Sequence, residues 1–261
     1  MIMIANKPAD IAELLSEYPG YGIERAIINI LEESSHTYNY ISKERLQFEL
    51  KLRREIVNAA EALFRSHMSF MTFLNSKCNT DYWIRTPEGG FALRPDVKPS
   101  DAVRDIFING YQYGTECATA TMMIYYKAML EVFPEEAFNQ MFSNIYLMNW
   151  HLIAPELREV GLMQDAYDHL PGDRRYFINP DVNPETPEWQ GENVIDLGNG
   201  VYYGHGIGRY LAAAFINALN QNRIDSAEES AYLLDSVGRP NFDRLFKLYQ
   251  KVTTTAIAVP A

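Results

Sequence analysis

Apolar residues recur at helical spacing through the first half of the chain and at strand spacing through much of the second. Asp10 is placed to cap a short helix carrying Ile11, Leu14 and Leu15, which Pro19-Gly20-Tyr21-Gly22 ends. Ile23 to Glu33 reads as a second helix and Ser34 to Tyr40 as a polar and aromatic loop. Ser42 then caps a long helix to about Arg65. On that helix Leu46, Phe48, Leu50, Leu52, Ile56, Val57, Ala59, Ala60, Leu63 and Phe64 cover more than half the circumference. Glu49 and Arg53 fall inside the apolar arc, one helical turn apart. Buried charges need partners, so the pattern predicts a Glu49–Arg53 ion pair fixing the helix in register.

Further on, Met68 to Leu74 is ambiguous between strand and buried loop. Tyr82-Trp83-Ile84-Arg85 and Phe91-Ala92-Leu93-Arg94 flank Pro87-Glu88-Gly89-Gly90 and read as a hairpin. Ser100 caps a short helix. Cys117 opens a long, almost wholly apolar helix running to about Val132, where Pro134 stops it. Glu135 to Phe142 is a further short helix. The period then changes, and Ile145–Met148, Arg175–Ile178, Asn193–Leu197 and Val201–His205 are candidate strands. Gly198-Asn199-Gly200 makes the last two a hairpin. Tyr210 to Asn220 and Asn241 to Lys251 read as helices, and Val252 to Ala261 as a frayed tail. Without repeats or low-complexity linkers, residues 1–261 are expected to form one α+β domain. In it, additional N-terminal helices precede a mostly antiparallel sheet packed on the Cys117 helix.

Composition narrows the function classes. Net charge is −11, with 34 acidic against 23 basic residues, and there is no Lys/Arg run or finger-type Cys/His spacing. Nucleic-acid binding is not expected. No apolar stretch has the length of a membrane span, and the first residues lack the pattern of a secretory signal, so synthesis and folding in a cytoplasm are expected, away from membranes. The two cysteines, Cys78 and Cys117, do not make a disulfide framework. Cys78 reads as a buried or incidental thiol.

Cys117 carries the candidate chemistry. A thiol at a helix N-terminus faces unpaired backbone N–H groups and the positive end of the helix dipole, both of which favour thiolate. A small core residue is the other reading of the same position. A nucleophilic thiol needs a base from elsewhere in the chain. His36, His67 and His169 have no special setting, His151 stands at a strand end after Trp150, and His205 lies between Gly204 and Gly206. Glu192, at the mouth of a buried strand, is either capped by turn amides or placed at a site.

The order Cys117, then Leu170-Pro171-Gly172-Asp173, then Glu192 to His205 resembles the papain-like NlpC/P60 cysteine hydrolases. There a helix-opening Cys is followed by a Pro-Gly-Asp strand start and a catalytic His, and Glu192 stands where that His would be. Taken together, Phe48 to Arg53, Tyr82-Trp83 with Pro87-Glu88-Gly89, Glu116 to Ala120, Gly191 to Ile195 and Gly204-His205-Gly206 resemble the spore-coat transglutaminases of endospore-forming bacilli. The resemblance runs from about Asp10 to Phe246.

That resemblance implies a papain-like NlpC/P60-type core and a protein-glutamine γ-glutamyltransferase. It implies Cys117 as nucleophile, Glu192 as its principal partner, Glu116 as a partial substitute and His205 lining the site. Phe70, Trp150 and Trp189 would line a tunnel for glutamine and lysine side chains of spore-coat proteins. The activity would need no calcium and no other cofactor, and no metal site is expected. Desolvation beside Trp150 and Trp189 should raise the Glu192 carboxyl, while the helix N-terminus should lower the Cys117 thiol. Two alternatives stay open: an NlpC/P60-type amidase or peptidase acting on γ-glutamyl bonds, and a non-catalytic coat scaffold.

Overall fold

The computed structural model describes residues 1–257. The long helix Lys43–Arg65 and the helix Cys117–Val132 pack against each other and form the centre of the molecule. Both lie where the apolar pattern places them, with Ser42 capping the first through its side chain. The Cys117 helix is buried along nearly its whole length, from Ala118 to Val132, because helices surround one side of it and the sheet covers the other. Trp83, Phe91, Met123 and Tyr125 are among the residues of the main apolar core.

The principal sheet has five strands, all antiparallel, in the spatial order Gly208–Leu211, Val201–Gly204, Gly191–Gly198, Arg174–Ile178 and Tyr232–Leu233. The central strand Gly191–Gly198 is buried on both faces and packs on the Cys117 helix. It begins two residues before the expected Asn193 start, which brings Glu192 inside the sheet. The predicted helix from Tyr210 begins only at Ala212, because Gly208–Leu211 pairs with Val201–Gly204 as an edge strand.

Several short pieces depart from the sequence reading for one reason, which is that their partners are distant in the chain. Tyr38–Tyr40, expected as loop, pairs in parallel with Ile2–Ile4. Within Met68 to Leu74, Ser69–Phe70 pairs in parallel with Gly114–Thr115, which sets Phe70 beside the start of the Cys117 helix. The hairpin Trp83–Arg85 with Phe91–Leu93 forms as predicted, and Tyr146–Leu147 joins it as a third strand. The helix expected to be capped by Ser100 starts at Pro99 with Lys98 as N-cap, using the fixed φ of proline in the first turn. The frayed tail expected for Val252 to Ala261 is helical as far as Ile257, and its last four residues lie outside the described residues. Among the described residues no helix is long and apolar enough to cross a membrane.

The Glu49–Arg53 pair forms, with Arg53 Nε 2.9 Å from Glu49 Oε1, and it belongs to a larger buried network. Arg53 also meets Asp173 Oδ1 at 2.8 Å and donates to the Pro171 carbonyl. Arg239 meets both Asp173 oxygens at 2.6 and 2.7 Å, and the Leu170 N–H donates to Oδ2 at 2.8 Å. Gly172 lies against Arg53 with φ +85°, and a Cβ there would stand 3.0 Å from the Arg53 carbonyl oxygen. Glycine is the residue that fits both conditions. Burial alone would push the Asp173 carboxyl up, but the two arginines outweigh it and hold the group below the ordinary carboxylate range. Its contribution is therefore present above the unfolded carboxyl pKa of about 4 and is lost as pH falls below that. Asp173→Asn leaves two guanidinium groups short of their charge and should cost about 3–5 kcal/mol of stability near neutral pH. Urea unfolding at about pH 7 and about pH 3 checks this, and the gap from the parent should shrink at the lower pH.

Candidate active site

Glu116 is the N-cap of the Cys117 helix. Its carboxylate accepts from the N–H groups of Ala118 at 2.6 Å and Thr119 at 2.7 Å. The free amides that made Cys117 a thiolate candidate are thus partly satisfied by the preceding residue. Cys117 itself is half-buried, with one side open to a cavity of about 650 Å³.

Two consecutive residues of the central strand meet the sulfur. Asn193 Nδ2 is 3.5 Å from Sγ, and the Asn193 backbone N–H also donates to it. The Glu192 carboxyl is close enough to the same thiol for each to shift the other's ionisation. Glu192 is 5% exposed, and Oε1 accepts from the Gly206 N–H at 2.9 Å. Gly204 makes room for it, since a Cβ there would be 2.7 Å from both Cγ and Oε1 of Glu192. The Gly-His-Gly sequence therefore forms a cradle for a carboxylate.

Burial pushes the Glu192 carboxyl up to about 8, against the pull of the Gly206 N–H and the thiol, and the negative Glu116 pushes the same way. The expectation for Cys117 needs correction. Burial, then the charges of Glu192 and Glu116, raise the thiol well above its ordinary value, and the two Asn193 donors only moderate this. The helix N-terminus does not prevail because a carboxylate already occupies it. The resting site is a neutral thiol beside a carboxyl that titrates at mildly alkaline pH.

The other expected residues are placed unequally. Phe70 and Trp150 line the cavity, together with Phe73, Met163, Tyr176, Arg174 and Asn149. Trp189 is not in the cavity wall. It packs on the apolar cluster of Phe177, Val194, Tyr202 and Phe215, while its neighbours Glu188 and Gln190 face the cavity. Nor is His205 in the wall. Its Nε2 lies 3.1 Å from the Ser69 carbonyl and its Nδ1 3.2 Å from the Tyr203 hydroxyl. A carbonyl only accepts, so Nε2 carries the proton and Nδ1 receives the phenol. Burial lowers the imidazole to about 4, so it is neutral and both of its nitrogens are engaged.

Two polar residues of the site escaped the sequence reading. Asn193 adjoins Glu192, and strand alternation would send the two to opposite faces. It reaches the sulfur because the helix start lies against this end of the strand. Arg174 stood one residue ahead of the predicted strand Arg175–Ile178, and nothing in its spacing marked it as buried.

The sequence model for protein-glutamine gamma-glutamyltransferases matches residues 1–249. The chain belongs to this family. Proteins of that name from Bacillus cereus strain B4264 and strain 03BB102 are similar to it. The first is 41% identical over 247 residues, covering 94% of this chain and 88% of its own. The second is 44% identical over 227 residues, covering 87% and 81%. A Bacillus anthracis relative (strain A0248) is 43% identical over 227 residues. Among solved structures, a transglutaminase from Geobacillus stearothermophilus without its C-terminal extension is similar with a TM-score of 0.74. It is 45% identical, and the match covers 80% of this chain and 98% of that one. The α+β architecture is thus that of a bacterial transglutaminase, consistent with a papain-like fold. Among the described residues of this transglutaminase, no group of three His, Cys, Asp or Glu side chains is placed to hold a metal ion.

The raised Glu192 has a stability signature. Between the unfolded pKa of about 4.3 and about 8, the folded state keeps a proton that the unfolded state releases. Stability contributed by this group therefore falls as pH rises through that window. Glu192→Gln keeps an acceptor for Gly206 and removes the ionisation. Its melting temperature should equal or fall below that of the parent near pH 4–5 and exceed it above about pH 8. The upper bound on the gain is roughly 5 kcal/mol, at about 1.4 kcal/mol per pKa unit. Equal pH dependence in the two proteins would contradict the buried-acid assignment.

Proposed function

We propose that Cys117 is the nucleophile of this transglutaminase and Glu192 its proton carrier. Its substrates are proteins bearing accessible glutamine and lysine side chains. The observation that supports this most directly is a cavity-facing thiol beside a buried carboxyl, each shifting the other's ionisation.

The thiol is neutral at rest, so its proton leaves as the sulfur attacks. Ionised Glu192 takes the proton while Sγ forms a bond to the glutamine carboxamide carbon. The tetrahedral adduct then expels nitrogen, to which Glu192 returns the proton, and ammonia departs. A γ-glutamyl thioester remains on Cys117. In the second half, a neutral lysine amine attacks the thioester and Glu192 accepts its proton. The C–S bond breaks, its electron pair goes to sulfur, and the proton passes from Glu192 to the thiolate. The products are an isopeptide cross-link and the free thiol. The Cys117 backbone N–H is a candidate donor to the carbonyl oxygen as it becomes an oxyanion. Phe70, Phe73 and Trp150 limit water at the thioester and disfavour a charged amine, which favours transfer over hydrolysis.

Glu116 holds the helix start through two amides, so its first role is to place Cys117. Its partial substitution for Glu192 requires releasing that cap. His205, neutral and bonded at both nitrogens, holds the segment around Phe70 rather than moving protons. The resemblance to spore-coat transglutaminases extends the reading to coat proteins as substrates, to assembly at the spore surface and to calcium-independent activity.

Incorporation of a fluorescent amine into a glutamine peptide tests the assignment. Cys117→Ala should abolish it, and full incorporation by that variant would sink the nucleophile. Glu192→Ala should lower kcat/KM about 10²–10⁴-fold, the usual span for general acid–base catalysis, and more than His205→Ala does. The parent acylation rate should rise with pH through about 8, because ionised Glu192 is the acceptor. A chelator should leave the rate unchanged.

A further inference from the structure

Arg174 is 3% exposed, and its guanidinium meets only neutral acceptors. Nε donates to the Val160 carbonyl at 2.9 Å, one terminal nitrogen donates to Asn193 Oδ1 at 2.8 Å, and the other to the Leu162 carbonyl at 3.3 Å. The group also stacks on Trp150, its carbon 4.5 Å from the ring centroid. Among the described residues it forms no ion pair with a carboxylate, unlike the buried Arg53, which has two. Buried charges are ordinarily paired with an opposite charge. This one is held on the wall of the cavity that Cys117 faces.

Its effect on Asn193 follows from donor chemistry. A guanidinium has donors and no acceptor, so the carboxamide oxygen of Asn193 must face it. The NH2 end must then face away, and it is the end placed 3.5 Å from Cys117 Sγ. A flipped carboxamide would set two donors against each other and present an oxygen to the sulfur.

We propose that Arg174 is a positioning residue that locks the Asn193 carboxamide nitrogen onto the Cys117 sulfur, making Asn193 the donor that stabilises charge gathering there. Charge gathers on sulfur twice, first as the thiol proton passes to Glu192 during attack, then as the C–S bond of the thioester breaks and its electron pair returns to sulfur. The inference rests on Cys117 as the nucleophile. It adds a group that neither the thiol nor its carboxyl partner supplies.

The test measures the rate of Cys117 alkylation by iodoacetamide from about pH 7 to about pH 11, with mass spectrometry separating Cys117 from Cys78, alongside steady-state amine incorporation. Asn193→Leu removes the donor to sulfur and leaves the guanidinium in place on the Val160 and Leu162 carbonyls. Arg174→Met removes the lock, and Arg174→Lys keeps a charge and a donor. The expected result is an upward shift of the alkylation profile by about one pH unit in Asn193→Leu and Arg174→Met. A fall of about tenfold or more in kcat should accompany it. Arg174→Lys should recover part of the shift, and the double variant should be no worse than Asn193→Leu alone. An unmoved profile in Asn193→Leu, or a double variant whose loss is the product of the two single losses, would overturn the proposal. If Arg174→Met does not fold, the Asn193→Leu profile and the Arg174→Lys recovery decide. Failure of the underlying reading would show separately, as amine incorporation that survives Cys117→Ala.

Discussion

The buried pair of Arg53 and Asp173 joins the two halves of the chain, and the placement of the site depends on it. Arg53 lies on the long helix and Asp173 at the start of the principal sheet, 2.8 Å apart between charged atoms and both out of solvent. Glu49 and Arg239 complete the charge balance, so neither member is left unpaired in a low-dielectric interior. Asp173 is followed directly by the strand Arg174–Ile178. Its pairing sets Tyr176 opposite Asn193 and Phe177 opposite Glu192. A slip of the central strand by one residue would exchange its faces and move Glu192 and Asn193 from their present places.

Against that frame, the helix carrying Cys117 brings the thiol to the sheet from the other side. The local electrostatics do not prepare a free thiolate. The helix N-terminus is occupied by Glu116, and burial with the charges of Glu192 and Glu116 outweighs the Asn193 donors, so sulfur and proton stay together at rest. On the proposed mechanism the proton goes to a carboxyl that burial has made more basic. The cradle of Gly204 and Gly206 holds that carboxyl by shape and by one N–H, without an arginine that would restore its acidity.

Much of this was legible in the residues. The Cys117 helix, the two hairpins and the Glu49–Arg53 pair follow from apolar period, turn residues and the cost of burying charge. Glu192 was singled out by motif order, and it lies in the cradle of Gly204 and Gly206. What escaped has a common cause. Tyr38–Tyr40 finds its partner at the N-terminus, Asp173 and Arg239 complete a network begun far upstream, and Arg174 meets Asn193 from the neighbouring strand. None of these has a local periodic signal, because the contacts that define them join distant segments. Trp189 shows the converse. Its place in the motif suggested a cavity wall, while the turn Pro187–Trp189 carries its ring into an apolar cluster instead.

The neutrality of the resting thiol also bears on chemical durability. Peroxide and related oxidants act on thiolate and on exposed sulfur. Cys117 is half-buried but offers little thiolate, since burial and the neighbouring carboxyls raise the thiol well above its ordinary range. On the proposed mechanism the nucleophile sheds its proton only as it attacks, so without substrate it gives oxidants little thiolate to act on.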